Sequence, residues 1–500
     1  MRRPQSEARQ RSLERRKASL CLVSIRERMT SIFGLSSKTW GRSVWTGRRP
    51  TRSLFTVNRR GNGLTDLKSQ ERHWSVRACQ STWMQGRSGT LSWLKSRKRY
   101  NLKDDHPMED ENMRKIRLTD LCELYRRQLL EDVIPFWMEY SLDKEYGGYF
   151  TCLDRDGSVY NTDKYAWLEG RQVWMFSKLY NELERRPEWL EVAALGVNFI
   201  CDHGFDSQGR MYFAFTRDGR ALYKPWNIFS ETFAIIGLAE YSKATGDEDI
   251  LKRAQRLYWD VIGRVKKGDL ATHISTETRK VETLAIPMIL LVTTQELDQV
   301  APDPRFADIM DDCLDQILYQ HACDERKALF ENIAPDGSRL DSPQGRCINP
   351  GHAIESAWFI LREGKRRRDR KIIDRALQIL AWSLEWGWDK EYGGLFYFVD
   401  SEGKPPEQLE WDMKLWWPHT EALYALLLAY HLSGRKVYWD WYERVHEWTF
   451  SHFPDPSYGE WFGYLHRDGT PSLYLKGSMW KGCYHLPRSL FLGLKILEEI

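Results

Sequence analysis

Asp143-Lys-Glu-Tyr-Gly-Gly-Tyr-Phe150 returns 246 residues later as Asp389-Lys-Glu-Tyr-Gly-Gly-Leu-Phe396. Looser copies share the grammar: Asp206 leads to Gly209 and Tyr212-Phe213, Asp324 leads to Phe330, and Asp455 leads to Tyr458-Gly459 and Trp461-Phe462. Most run on into an Asp-Gly turn, as at Asp156-Gly157, Asp218-Gly219, Asp336-Gly337 and Asp468-Gly469. The copies start 63, 118, 65 and 66 residues apart, so the second interval spans two units, and a degenerate copy near Gly268-Asp269 completes six. A fixed period of this kind is the mark of a repeat architecture.

Between the loops apolar residues recur at three and four positions, which predicts helices. Twelve are expected, over about 118–140, 165–185, 188–203, 229–245, 248–264, 281–299, 304–321, 351–365, 370–387, 416–433, 436–452 and 485–498. Two helices per repeat, joined by short connections, predict an all-α fold: an (α/α)6 barrel of six helical hairpins, with short β-hairpin loops at one rim. An open solenoid is the competing architecture, and six units with short links favour closure.

Charge divides the chain in two. Residues 1–107 hold 25 Lys and Arg against 7 Asp and Glu, an excess of 18, although the whole chain is only +4; the remainder is thus near −14. An acidic body argues against nucleic acid as its partner. The extension, 1–107, lacks sustained periodicity and reads as disordered. It is either a transit-like segment or sequence upstream of a natural start at Met108 or Met113, and 108–500 is the barrel. Nine scattered cysteines without a CxxC pair suit a reducing compartment and carry no zinc signal. No run is apolar enough to cross a membrane. The cytosol is the default address, with the mitochondrion the alternative if the extension is a transit peptide.

With the second helix of each pair taken as the inner one, its first turn follows the glycine-rich loop at one rim. That places Arg171, Glu231, Glu282, His352 with Glu355, His419 with Glu421, and His485 at a common end, from the second, fourth, sixth, eighth, tenth and twelfth helices. Each has an ordinary reading. Asn349-Pro350-Gly351-His352 is a cap followed by a first-turn proline, and a histidine there can simply be half exposed. His419 follows Pro418 and His485 precedes Pro487 in the same manner. Glu355, on the same helical face as His352, could orient that imidazole or pair with an arginine. Three imidazoles converging from separate repeats point instead to acid–base chemistry. Trp167, Trp174, Trp358, Trp416 and Trp417 lie in or beside these helices, as core or as platforms for the apolar face of a sugar. P-loop, serine-elbow and HExxH patterns are absent.

Four strings, Lys164-Tyr-Ala-Trp-Leu-Glu-Gly-Arg-Gln-Val-Trp-Met175, Asn349-Pro-Gly-His-Ala-Ile-Glu-Ser-Ala-Trp358, Leu409-Glu-Trp-Asp-Met-Lys-Leu-Trp-Trp-Pro-His-Thr-Glu-Ala422 and Lys481-Gly-Cys-Tyr-His-Leu-Pro-Arg488, match a known family in order. The chain closely resembles the animal N-acylglucosamine 2-epimerase (renin-binding protein) family from about Leu118 to Leu497. The resemblance implies an isomerase of amino-sugar and sialic acid metabolism that interconverts N-acetyl-D-glucosamine and N-acetyl-D-mannosamine, usually as a homodimer. It also implies ATP as an activator that is not consumed and an association with renin; with no zinc-site pattern in the sequence, no metal is expected. By the same resemblance His352 and His485 are the acid–base pair, supported by Glu421 and Arg171. His419, Glu355, Trp167, Trp416 and Glu231 are expected around the substrate. Exchange at C2 needs the open-chain aldehyde, two bases on opposite faces, and a cation near O1, for which Arg171 is the candidate. Among rivals, an inverting glycosidase would need two carboxylates flanking a cleft, and this rim is dominated by histidines.

Overall fold

The twelve expected helices are all present in the computed structural model, which describes residues 111–224, 227–270 and 275–500. The first, α1, runs as Glu111–Arg127, a π-helical stretch Gln128–Val133 and Ile134–Tyr140. Then come α2 (Ala166–Glu182), α3 (Pro187–His203), α4 (Phe229–Thr245), α5 (Glu248–Lys266) and α6 (Ala285–Val300). Next, α7 (Phe306–Asp315) passes into a second π stretch, Gln316–His321. The remainder are α8 (Pro350–Arg367), α9 (Arg370–Gly387), α10 (Trp416–Ser433), α11 (Lys436–His452) and α12 (His485–Glu499). The reading of residues 1–107 lies outside the described residues, as does part of the loop after Gly268-Asp269.

The even-numbered helices are buried all round, α10 without interruption from Trp416 to Ala429. The odd-numbered ones are amphipathic: α5 buries only Ala254, Leu257, Tyr258, Val261 and Ile262, a single stripe. Each inner helix packs on the next, and α12 returns to α2, so the barrel is closed. Two of the inner helices touch backbone to backbone. A Cβ at Gly170 of α2 would stand 2.5 Å from the Phe233 carbonyl carbon, and one at Gly237 of α4 would stand 2.6 Å from the Gly170 oxygen. Glycine weakens a helix interior, and here it allows α2 and α4 to meet.

Short antiparallel strands stitch one rim. Lys164–Tyr165, just before α2, pairs with Ala214–Phe215, and Lys414–Leu415, before α10, pairs with Tyr464–Leu465. Glu282 falls in such a strand, Glu282–Thr283, opposite Asn332–Ile333, rather than in α6 as expected. Pairing continues through Leu284, whose N–H bonds Glu331 O, so the helix starts only at Ala285.

The repeated octapeptide forms a loop closed by single bridges at Leu142–Tyr149, Phe205–Met211, Trp388–Leu395 and Pro454–Trp461. Its twin glycines both take positive φ, +75° and +70° at Gly147 and Gly148. In the last copy Glu460 stands at the second of these positions with φ 52°. Its carboxylate accepts from Trp137 Nε1 and Lys481 Nζ, both at 2.7 Å, and those bonds offset the strain.

The loop aspartate anchors three of the copies. Asp143 holds buried Lys164 at 2.9 Å and Arg217; Asp389 holds Lys414 at 3.0 Å and Arg467; Asp455 holds Lys476 at 2.9 Å and Arg155. Burial opposes the Asp143 charge, but Arg217 and Lys164 hold its pKa down at about 2. In each case the arginine comes from the Arg-Asp-Gly turn of another repeat, and Arg155 of the first reaches Asp455 of the last, 300 residues away.

Candidate active site

Inner helices that start at one rim bring their first turns together. His352 sits in the first turn of α8, where Asn349 Oδ1 accepts from the His352 N–H at 3.1 Å. Its Nδ1 lies 3.0 Å from both carboxylate oxygens of Glu331. His485 opens α12, and its Nδ1 is 2.8 Å from Glu421 Oε1. The ring of Trp417 neighbours both, its centroid 5.4 Å from the His352 ring and 5.8 Å from the His485 ring. Nδ1 of each imidazole is thus occupied by a glutamate, and neither Nε2 has a hydrogen-bond partner among the described residues.

The two histidines differ in what surrounds them. Burial pulls the His352 pKa down, but Glu331, aided by Glu355, outweighs it and raises the pKa above 6.5. Burial, Arg171 and Arg488 together push that of His485 well below 6.5. Arg488, on α12 one turn beyond His485, places Nη2 2.6 Å from Glu421 and 2.7 Å from Glu355 and stacks over Tyr484. Trp358 Nε1 donates to the second Glu421 oxygen at 2.8 Å.

Arg171 enters from α2. Its guanidinium is stacked 4.0 Å from the Phe233 ring and about 5 Å from those of Trp167 and Tyr484, makes no ion pair among the described residues, and leaves Nε unpartnered. Burial pushes its pKa down to about 10, so it is charged at neutral pH. Trp167 meets Trp480 edge to face, and Trp416 lies 6.2 Å from His485 with its Nε1 unpartnered. Glu355, Glu421 and His485 present ligand-type atoms within 4.8 Å of one another, but Arg488 already bridges the two carboxylates.

Two expected substrate residues stand apart. His419 is fully buried: its Nδ1 lies 2.6 Å from Leu415 O, its Nε2 accepts the Leu395 N–H at 2.8 Å, and its ring stacks on Trp448. It is the counterpart of Glu169, which accepts the Tyr149 N–H at the same place in the first octapeptide loop, so it holds the loop and not a ligand. Glu231, also fully buried, is taken up by Arg264 at 2.8 Å.

Glu331 and Arg488 were not singled out for roles in the sequence, and Trp417 was named there only as core or as a sugar platform. For Glu331 there was a signal. The residue after the loop phenylalanine is Thr151, Ala214, Tyr397 and Gly463 in the other copies, and only the fourth puts a charge there. Behind Arg488, a cavity of about 90 Å³ lined by Trp174, Lys178, Glu296, Trp358 and Arg362 continues into the barrel.

The family model for N-acylglucosamine 2-epimerase (GlcNAc 2-epimerase) matches residues 148–488. The N-acylglucosamine 2-epimerase of Rattus norvegicus is 42% identical over 386 residues, covering 75% of this chain and 91% of that protein. That of Homo sapiens is 40% identical over 385 residues, 75% of this chain and 89% of that one. The solved structure of cellobiose 2-epimerase from Spirochaeta thermophila shares the fold, with a TM-score of 0.66 at 22% identity over 78% of this chain and 99% of that chain.

Proposed function

This chain belongs to the N-acylglucosamine 2-epimerase family, and from that premise we propose that it interconverts N-acetyl-D-glucosamine and N-acetyl-D-mannosamine by proton exchange at C2. The observation that carries the mechanism is the pair of histidines beside Trp417, each with Nδ1 on a glutamate and Nε2 unpartnered among the described residues. A carbonyl makes the neighbouring C2–H acidic, so the open-chain aldehyde is the reacting form. One Nε2 takes the proton; the other, protonated, returns one to the opposite face. Between these events negative charge develops on O1, and the Arg171 guanidinium, fixed by three rings and in no ion pair among the described residues, supplies donors for it. Glu421 fixes the His485 tautomer and is itself held by Trp358 and Arg488. A hydrolytic reading is weaker, because Glu355 and Glu421 share one arginine nitrogen and cannot flank a cleft.

The direct assay is formation of N-acetylmannosamine from N-acetylglucosamine. In D2O, His352→Asn and His485→Asn should each abolish epimerisation while still washing deuterium into C2 of one epimer. Full activity in either variant would overturn the two-histidine scheme.

Family resemblance extends the proposal to ATP as an activator that is not consumed, to a homodimer, to an association with renin and to a place in sialic acid metabolism, and the scattered cysteines support a cytosolic address. ATP is assigned no residues: the guanidiniums of Arg264 and Arg210 lie 2.8 and 3.8 Å from the Glu231 carboxylate. Assays with and without ATP, light scattering of the purified chain, and fractionation test these points. No helix among the described residues is long and apolar enough to cross a membrane.

A further inference from the structure

We propose that Glu331 is a positioning residue that seats the site's single spare proton on His352, so that in the resting enzyme His352 is the acid and His485 the base. This rests on the two-histidine reading above and goes beyond it by dividing the labour.

The geometry is asymmetric. Glu331 turns both carboxylate oxygens to His352 Nδ1 and makes no other side-chain bond among the described residues. Its backbone is pinned on both sides, its N–H to Cys347 O and its carbonyl to the Leu284 N–H. Glu421, by contrast, is divided among His485, Arg488 and Trp358, and Arg488 ties it to Glu355. Three carboxylates, Glu331, Glu355 and Glu421, thus face two guanidiniums, Arg171 and Arg488. With both imidazoles neutral the cluster is one positive charge short, and one proton balances it.

Where that proton sits follows from what faces each ring. His352 meets Glu331 from the loop before α8, Glu355 from its own helix, uncharged Trp417 from α10, and His485 from α12. His485 meets Arg171 and Arg488, both positive, with Glu355 and Glu421 opposing them, and the Glu421 oxygen it contacts is already shared with Arg488. The titratable groups around Glu331 do not compete with it. Tyr397 and Cys347 are pushed upward chiefly by burial and His321 downward chiefly by burial, so all three are neutral.

The step balances without a further reagent. His485 Nε2 accepts the proton leaving C2, and His352 Nε2 gives its own to the opposite face. The site then holds its proton on His485, and exchange with water returns one to His352. The epimer whose C2–H faces His485 therefore enters a site already set for it.

The test is Glu331→Gln in the full chain. Imidazole NMR of the unliganded protein, with the His352 signal identified by its loss in His352→Asn, should show His352 titrating above the ordinary 6.5 and above His485. In Glu331→Gln its titration should fall by about one pH unit or more. The alkaline limb of kcat/KM should move down equally, giving about a tenfold loss at pH 8 and a smaller one at pH 6. KM and the melting temperature should barely change, and Glu331→Asp should restore most of the limb. A His352 titration unmoved in Glu331→Gln, or a wild-type protein in which His485 is the protonated ring, overturns the proposal. Should Glu331→Gln not fold, the same titration in Glu331→Asp decides. Because the NMR reading does not depend on turnover, it can fail while both His→Asn variants behave as proposed, and failure of those variants is seen separately.

Discussion

Arg171 shows why residue types alone do not define a site: its position is made by three rings, Trp167, Phe233 and Tyr484, and it forms no ion pair among the described residues. Lysine there would keep the charge and lose the flat stacking and the fork of donors. Arg171→Lys should lower kcat by about 100-fold, the scale of one donor to a developing oxyanion, with the circular dichroism spectrum unchanged. His419 makes the opposite point. Burial pushes its pKa down to about 3. Between that value and 6.5 the unfolded chain binds a proton that the folded one refuses, so this contribution is complete above pH 6.5 and is lost as the pH falls toward 3. The slope in that window is at most about 1.4 kcal/mol per pH unit for one such group. His419→Gln, which retains an acceptor for the Leu395 N–H, should flatten the fall in urea midpoint between pH 6.5 and 4.5. The histidines, Glu421 and Arg171 were legible as residues at one rim, because helix periodicity counts positions. That His419 points at a backbone amide and Glu331 at His352 was not legible, since neither partner is set by spacing along a helix.

Helix existence came from period, and helix ends came from neighbours. The π stretch Gln128–Val133 lies within α1 and Gln316–His321 closes α7, each adding a residue to a turn of an outer helix. Glu282 left α6 because a strand partner at Ile333 outbid the helix register. The Gly170–Gly237 contact is the element-scale feature most exposed to test. Alanine at an ordinary helix glycine stabilises, but here it meets the Phe233 backbone. Gly170→Ala should cost about 1–3 kcal/mol in urea unfolding. Since Arg171 is the next residue, kcat should fall as well. A gain in stability would mean that α2 and α4 can part.

Across the whole molecule the barrel was legible because the octapeptide loop repeats, and closure was argued from six units and short links. The devices that close it were not, since each joins residues from different repeats. Asp143, Asp389 and Asp455 hold equivalent trios, so Asp→Asn at each should leave a buried lysine uncompensated at a similar cost, about 3 kcal/mol by urea unfolding. The three effects should add when combined, as distant sites do. A cost confined to Asp455 would mean that only the seam matters. The Arg155–Asp455 pair also sets a limit on descent. A solenoid gains or loses units at its ends and still stacks, whereas here each Arg-Asp-Gly turn must find the aspartate one place round the circle. Deleting a hairpin would leave the circle open and part α8 from α12, so divergence in such a chain is pushed into loop length and rim side chains while the count of six stays fixed.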